Sequence, residues 1–406
     1  MTGSSARLRP RLSGTNLERA ADHNQRITLH AIRVCGMLTR VELAGITGLT
    51  APAIANITKR LLQDGLIEEA GQRRGGRGQP PTKLVIRSDA CYSVGVNIDR
   101  DHITIVLVDF AGQTLARVSE EINYALPADV RALFDRSIAD MLAGAGVDAA
   151  KVVGLGVAMP DDLGSVDLPG RPFAYGEWEQ VSMADLFAGL HDWPVFREND
   201  AAAAAMGEMQ LGKGQSNTSF FYILMSSGLG GGLVVDGNYV RGANGRSGEI
   251  GFMLARRDDD VAEPLQNIVS LSALAKDLAA QGFNLTEALH STDGPAADGV
   301  DRWIDMAAAQ LAAPLAAVNC LVNPAAILLG GRLPTRLMDL LAERTNAQLQ
   351  TMAAQLPAVA PVSRAALSED APAVGAAILP FSHFLLPTPG ALWKPSRGAV
   401  TIGADA

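Results

Sequence analysis

Residues 97–113, NIDRDHITIVLVDFAGQ, end a short apolar strand on Asp99, turn through Arg100, Asp101 and His102, and begin a second strand. An acidic residue at a strand end followed by a hairpin could grip phosphate. That chemistry needs bare backbone N–H groups and a hydroxyl, hence glycines and a threonine. Here three larger side chains occupy the turn, and Asp101 adds a negative charge where phosphates would lie. A second loop, SSGLGGG at 226–232, keeps its glycines, which equally suit a tight turn between strands. Glu249, in GRSGEIGF, is a carboxylate between glycines at the entrance to an apolar stretch, a poor place for a mere surface charge. Carboxylates and amides can each take several hydroxyls, the chemistry of polyol recognition. Asp200, in ENDAAAAAMGE, also reads simply as a helix N-cap.

A different chemistry is written near the N-terminus. In NQRITLHAIRVCG, Ile27, Ala31, Val34 and Cys35 form one helical stripe that Gly36 stops. TRVELAGITGL follows with Thr39 as N-cap, then Gly48 turns the chain and Thr50 caps APAIANITKRLLQDG. Ile54, Ile57, Leu61 and Leu62 of that third segment face inward, and Pro52 falls in its first turn. Helix, short turn and capped helix have the spacing of a helix-turn-helix. LIEEAGQRRGGRGQPPTKLVIR then reads as two strands around a glycine- and arginine-rich tip, a wing. Thr50, Pro52, Ala53 and Asn56 point away from the helical core, with Lys59 and Arg60 beyond them. Asparagine pairs with adenine, threonine touches a thymine methyl, and the basic pair suits phosphates. Arg73, Arg74 and Arg77 in the tip suit a narrow minor groove.

The elements that position these groups form more than one domain in a chain of 406 residues. The net charge of −9 is uneven: residues 1–90 carry 14 Lys and Arg against 7 Asp and Glu, and the remainder 20 against 36. A basic head on an acidic body restricts contact with a polyanion to the head. The longest apolar region, LAAPLAAVNCLVNPAAILLGG, is interrupted by Pro314, Asn319, Asn323 and Pro324, which argues against a membrane span. The first residues have no apolar core of a signal peptide. Cys35, Cys91 and Cys320 are far apart, as in a protein of the reducing cytoplasm. YSVGVNIDRDHITIVLVDFAGQTLARV is echoed by FFYILMSSGLGGGLVVDGNYVRG, each strand, turn, strand ending in Val-Asp, glycine turn and third strand. Two such meanders, each followed by alternating helices and strands, imply a duplicated α/β body with a cleft between halves.

The motifs GVNIDRDHITIVLVDFAGQ, GVAMP, ENDAAAAAMGE, SSGLGGGLVVDGNYVRGANGRSGEIGF, NPAAILLGG and VGAA lie in one order over residues 90–380. In that order they resemble the ROK family (repressors, open reading frames and kinases) of actin-like ATPase fold, and the winged head resembles its xylose- and N-acetylglucosamine-repressor branch. The expected fold is α/β: a winged helix-turn-helix followed by a two-lobed actin-like domain. Expected boundaries are a flexible basic tail at 1–22, the winged head at 23–88, a first lobe at 89–205 completed by about 385–406, and a second at 206–384. The resemblance places Asn199, Asp200 and Glu249 in a sugar cleft, and register against the family's GCLE segment places Gln266 there. A family histidine that touches sugar and a structural zinc is replaced by Phe252, and the cysteine cluster downstream is missing. No zinc is therefore expected, with Phe252 and Met253 packing into the core in its stead. A family kinase carries Asp-x-Gly-Gly-Thr where this chain has DRDH, so neither ATP nor phosphoryl transfer is expected. Phe173, Tyr175 and Trp178 lie near the cleft loop; one could stack on a sugar, although a core position suits Trp178 better.

The expected function is a cytoplasmic transcription regulator, a repressor. Its partners are double-stranded DNA, a small carbohydrate effector and a second copy of itself in a homodimer or larger homo-oligomer, with no membrane. Two alternatives are an ATP-dependent sugar kinase with an added DNA-binding head, and a DNA-binding protein whose body serves only as a dimerisation scaffold.

Overall fold

The computed structural model describes residues 17–72, 82–161, 163–165, 171–189, 191–256 and 262–387. They divide into two compact units, one from the N-terminal residues to Ile86 together with the chain from Leu385 onward, the other Arg87–Phe384.

The first unit runs α1 (Leu17–Cys35), β1 (Leu38–Thr39), α2 (Arg40–Thr47), α3 (Ala51–Gln63), β2 (Ile67–Gln72) and β3 (Thr82–Ile86). Both expected caps are present. The Thr39 hydroxyl accepts from the Glu42 N–H while Glu42 reaches back to the Thr39 N–H, and Thr50 caps α3 through the Ala53 N–H. Gly48 ends α2 at φ 68°, a left-handed conformation that glycine adopts without a Cβ clash. Three expectations need correction. Helix α1 begins at Leu17, inside the stretch expected to be tail. Of its expected stripe Ala31 is buried, but Ile27 and Val34 are only half-buried and Cys35 is exposed, while Thr28, Leu29 and Ile32 are buried, so the helix is turned by about one residue from the expected face. The two-residue strand β1 pairs with β3, making a three-stranded sheet in the order β1-β3-β2. The arginine-rich tip, with Arg73, Arg74 and Arg77, lies outside the described residues.

The second unit holds two sheets of the same design. Its first half contains β4 (Tyr92–Ile98), β5 (His102–Asp109), β6 (Thr114–Glu121), α4 (Pro127–Gly144), β7 (Val152–Met159), α5 (Met183–Leu186), β8 (Val195–Asn199) and α6 (Asp200–Leu211). The second contains β9 (Phe220–Met225), β10 (Leu229–Val235), β11 (Asn238–Tyr239), the small hairpin β12 (Leu254–Arg256) and β13 (Ala262–Pro264), α7 (Leu271–Ala279), α8 (Leu285–His290), α9 (Gly294–Leu321), β14 (Ala326–Gly331), α10 (Thr335–Thr351), β15 (Val362–Arg364) and α11 (Ala371–Phe384). Strand orders are β6-β5-β4-β7-β8 and β11-β10-β9-β14-β15, each an antiparallel meander continued by two parallel strands. The sequence echo is thus a structural duplication.

Central strands bury both faces, as β9 shows. Phe221, Ile223 and Met225 pack with α7, α9 and α10, while Phe220, Tyr222 and Leu224 meet the alanines of α6. Helix α9 is long and apolar enough to cross a bilayer, yet its Trp303, Ile304, Leu311 and Leu315 belong to this second core.

Helix α11 corrects the expected boundaries. It lies on the first sheet, where Val106 and Val108 pack with Ala373, Val374 and Ala377, although its sequence follows the second lobe. The expected completion of the first lobe by residues 385–406 therefore shifts to α11; residues 385–387 go with the first unit, where Arg26 donates to the Leu386 carbonyl. The reason is steric. A Cβ on Gly156 of β7 would lie 1.9 Å from the Ala376 carbonyl oxygen, so the sheet must present glycine for α11 to sit there. Between the sheets, α11 packs on α6 just as closely: a Cβ on Gly375 would lie 1.7 Å from the Ala203 carbonyl oxygen.

Candidate functional site

A cavity of about 1110 Å³ opens between the two halves of the second unit. It is lined by residues at or just beyond the carboxyl ends of β4 (Asp99), β7 (Pro160, Asp161), β8 (Asn199) and β9 (Ser226), where open α/β sheets leave crevices. All four residues assigned to the cleft, Asn199, Asp200, Glu249 and Gln266, line it.

The N-cap of α6 is Asn199, whose side-chain oxygen accepts from the Ala202 N–H at 3.1 Å; its amide donates to Asp161 at 3.4 Å. Asp200, read from sequence as a possible cap, is the first helical residue, and its carboxylate takes the Ala201 N–H at 2.8 Å. Burial pushes the Asp200 pKa up to about 7, with the negative charge of Asp99 adding to it. At neutral pH this carboxyl is therefore divided between donor and acceptor forms. Glu249 is half-buried and held by Arg246 at 3.0 Å, and the Arg246 guanidinium lies 5.9 Å from the centre of the Phe252 ring.

Several expectations fail here. Phe252 and Met253 are 52% and 37% exposed and form no core, because the loop runs along the cleft rim. Trp178 is buried as expected, donating to the Ala125 carbonyl at 2.8 Å, but Tyr175 is buried with it and Phe173 is fully exposed. None of the three lines the cavity; its aromatic residues are Tyr124, Tyr239 and Phe252. Tyr124 sits at φ 56° with its ring edge-on to Tyr175 at 5.1 Å. No local pattern marks it, since it reaches the cleft only through the fold.

The turn that could have gripped phosphate is tied up. The Arg100 N–H donates to the Asp99 carboxylate at 2.7 Å, while the carbonyls of Asp101 and Arg100 accept from Ile122 and Tyr124. Asp101 was expected to repel phosphate; instead it pairs with His102 at 2.7 Å and with Arg332 at 3.0 Å. Burial pushes Asp101 up, but the hydrogen bond and charge of His102, the charge of Arg332 and a Ser227 hydrogen bond outweigh it and hold the carboxyl below its usual range. Burial likewise pushes His102 down, and the Asp101 hydrogen bond with the charges of Asp99 and Asp101 reverses that. His102 Nε2 lies 3.0 Å from the Asn97 amide nitrogen, while Asn97 Oδ1 has no partner among the described residues. Turning that amide over lets an imidazolium N–H donate to the orphaned oxygen.

Neither implied inorganic group suits these residues. Asp99, Asp101 and His102 bring ligand atoms within 4.8 Å of one another, but both His102 nitrogens and both Asp101 oxygens are engaged, so a cation would have to break the pairs. No cysteine or histidine lines the cleft among the described residues, which does not fit a zinc site of soft ligands.

In the first unit the expected contact residues share one helix. Thr50, Pro52, Asn56, Lys59 and Arg60 are exposed, Ala53 is half-buried, and Ile54, Thr58 and Leu61 are buried opposite. The Thr50 hydroxyl is spent on capping, which leaves its methyl group to make outside contacts.

Comparison with known proteins agrees with this architecture. Residues 93–382 match the model of the ROK family. The chain is 32% identical over 350 residues to the uncharacterised protein y4fQ of Sinorhizobium fredii, covering 85% of this chain and 87% of that protein. It is 25% identical over 232 residues to the xylose repressor of Bacillus subtilis, spanning 57% of this chain and 60% of that repressor. Among solved structures, a ROK family transcriptional regulator homologous to the Escherichia coli MLC protein superposes with a TM-score of 0.65 at 20% identity, covering 90% of this chain and 97% of that one. A ROK family glucokinase of Streptomyces griseus, in complex with glucose and AMPPNP, gives 0.56 at 22% identity, covering 71% and 98%. These two structural likenesses speak for the fold alone.

Proposed function

The chain belongs to the ROK family, and from that footing we propose that it is a DNA-binding repressor released or retained by a small carbohydrate. The first unit acts as a winged helix-turn-helix whose α3 enters the major groove, and the second as a sensor that does no chemistry. The observation that carries this reading is the state of the cleft. Carboxylates and amides able to take hydroxyls (Asn199, Asp200, Glu249, Gln266) line it together, while the phosphate turn has its Arg100 N–H and the Asp101 carboxylate committed internally. A homodimer would present two heads to half-sites about 34 Å apart, so that a change in the sensor alters grip on the operator. Control of this kind requires the sugar to bind the two states unequally.

The test is fluorescence anisotropy of promoter DNA from the protein's own locus, titrated with pentoses, hexoses and their derivatives. One sugar should shift DNA affinity at least tenfold, and Glu249→Gln should abolish that shift while leaving sugar-free DNA affinity unchanged. An unaltered dose response in Glu249→Gln removes it from the pocket, and indifference to every sugar leaves the body a scaffold.

One observation favours a kinase instead: a carboxyl poised near neutrality, as Asp200 is, suits a general base. A coupled assay with magnesium-ATP and the same sugars decides, since turnover that vanishes in Asp200→Asn would replace the sensor with an enzyme.

A further inference from the structure

Arg100 follows Asp99 in a turn that otherwise looks inward, and its side chain is the exception. It is half-buried at the cleft, and its guanidinium makes no hydrogen bond or ion pair among the described residues. Nearby arginines are engaged: Arg246 with Glu249, Arg332 with Asp101 and Glu121, Arg241 with Glu198. Arg100 Nη1 lies 3.7 Å from the point where a Cβ on Gly228 would stand, and Gln266 Oε1 lies 3.6 Å from the same point. The cation therefore hangs over the Ser226–Gly228 turn, whose own backbone is closed by the Gly228 N–H to Ser226 Oγ and the Ser226 N–H to the Gly228 carbonyl, so that the guanidinium is the free donor there. The N-cap Ser270 and the first turn of α7 line the same cavity, as does Lys276 further along. Asp200, whose ionisation Arg100 favours by lowering its pKa, is nonetheless displaced toward the neutral form by burial and by Asp99.

A half-buried guanidinium without a protein partner can make a charge-assisted bond to an anionic ligand group at little further desolvation. We propose that the corner of the cleft between Arg100 and Gly228 is an oxyanion subsite, so that the effector is an acidic carbohydrate bearing a carboxylate or phosphoryl group. The hydroxyls face Asn199, Asp200, Glu249 and Gln266, and the anion faces Arg100. This rests on the carbohydrate-sensing reading above and adds charge selectivity to it. Arginine suits either anion, because its fork matches both geometries.

Calorimetric titration of the full chain distinguishes the sources. The probes are glucose, galactose and N-acetylglucosamine, their 6-phosphates, glucuronate and galacturonate, each against wild type and Arg100→Gln. At least one acidic probe should bind about tenfold more tightly than its neutral parent, and Arg100→Gln should bring the pair to within about threefold while leaving the neutral sugar's affinity unchanged. Preference for the uronates alone identifies a carboxylate, and for the 6-phosphates alone a phosphoryl group. Equal binding of neutral and acidic partners, an acid preference that survives Arg100→Gln, or no acidic probe binding at millimolar concentration overturns the proposal. A neutral sugar that releases DNA would still uphold the sensor while removing the oxyanion subsite.

Discussion

Asp200 stands in the first turn of α6, where the helix end favours its anion, and opposite Asp99, which disfavours it along with burial. Because its folded pKa of about 7 exceeds the usual carboxylate value of 3.8, the unfolded chain releases this proton first as pH rises. The group's contribution to stability is thus intact at acid pH and is lost as pH climbs through about 7. Asp200→Asn, which carries no ionisable proton, should be more stable relative to wild type at pH 8 than at pH 5. Urea denaturation at the two pH values checks this, and an equal difference at both refutes it. His30 runs the other way. Burial and then Arg33 lower its pKa from 6.5 to about 4, so folding excludes a proton that the unfolded chain accepts. The first unit should lose about 3 kcal/mol as pH falls through that window, visible as faster hydrogen exchange in α1. His30→Leu should flatten this dependence.

Among the elements, α3 and the α6–α11 pair carry the sharpest expectations. Asn56→Ala should weaken binding to the operator by about 1–3 kcal/mol and to random DNA far less; equal losses would exclude a base contact. Lys59→Ala should weaken both and reduce the slope of log K against log salt by about one. Gly375→Ala would force a methyl into the Ala203 carbonyl and should cost about 3 kcal/mol or more, read as a lower denaturation midpoint of the second unit. The caps and meanders at this scale were legible because Thr39, Thr50, Gly48 and the Val-Asp turns act through neighbours in the chain. The short strand β1 was not, since two residues show no alternation and only pairing with β3 defines them. Nor was the sheet that α11 would choose, because Gly156 and Gly375 declare their purpose only once the helices are in place.

For the molecule as a whole, the duplicated body and its cleft follow from the repeated strand pattern, and the four cleft residues came together as the family motifs implied. Arg332 reaching Asp101 and Glu121, and Tyr124 reaching the cavity, could not be read, because each joins positions remote in sequence or facing. In the sequence Arg100 reads only as a bulky side chain in the turn, since a sequence does not tell which side chains will find partners. An effector bound in the cleft stabilises only the unit that holds it, so at about a hundred times its Kd the second unit should gain about 2.7 kcal/mol while the first is unmoved. Site-resolved hydrogen exchange separates the two; protection spread equally over both would contradict it.

The near-contact of α6 and α11 also limits how the two halves of the body can move. With main chain resting on main chain at Gly375, that contact leaves no side chains to slide over, so a relative motion of the two halves should be a swing about it and not a shear. Atoms at this rivet scarcely travel in such a swing, whereas the outer blades of the scissors sweep a wide arc. Asp200, one turn from Ala203, would stay nearly still as the cleft shuts, and it is Arg246 and Glu249 across the gap that would close on the guest.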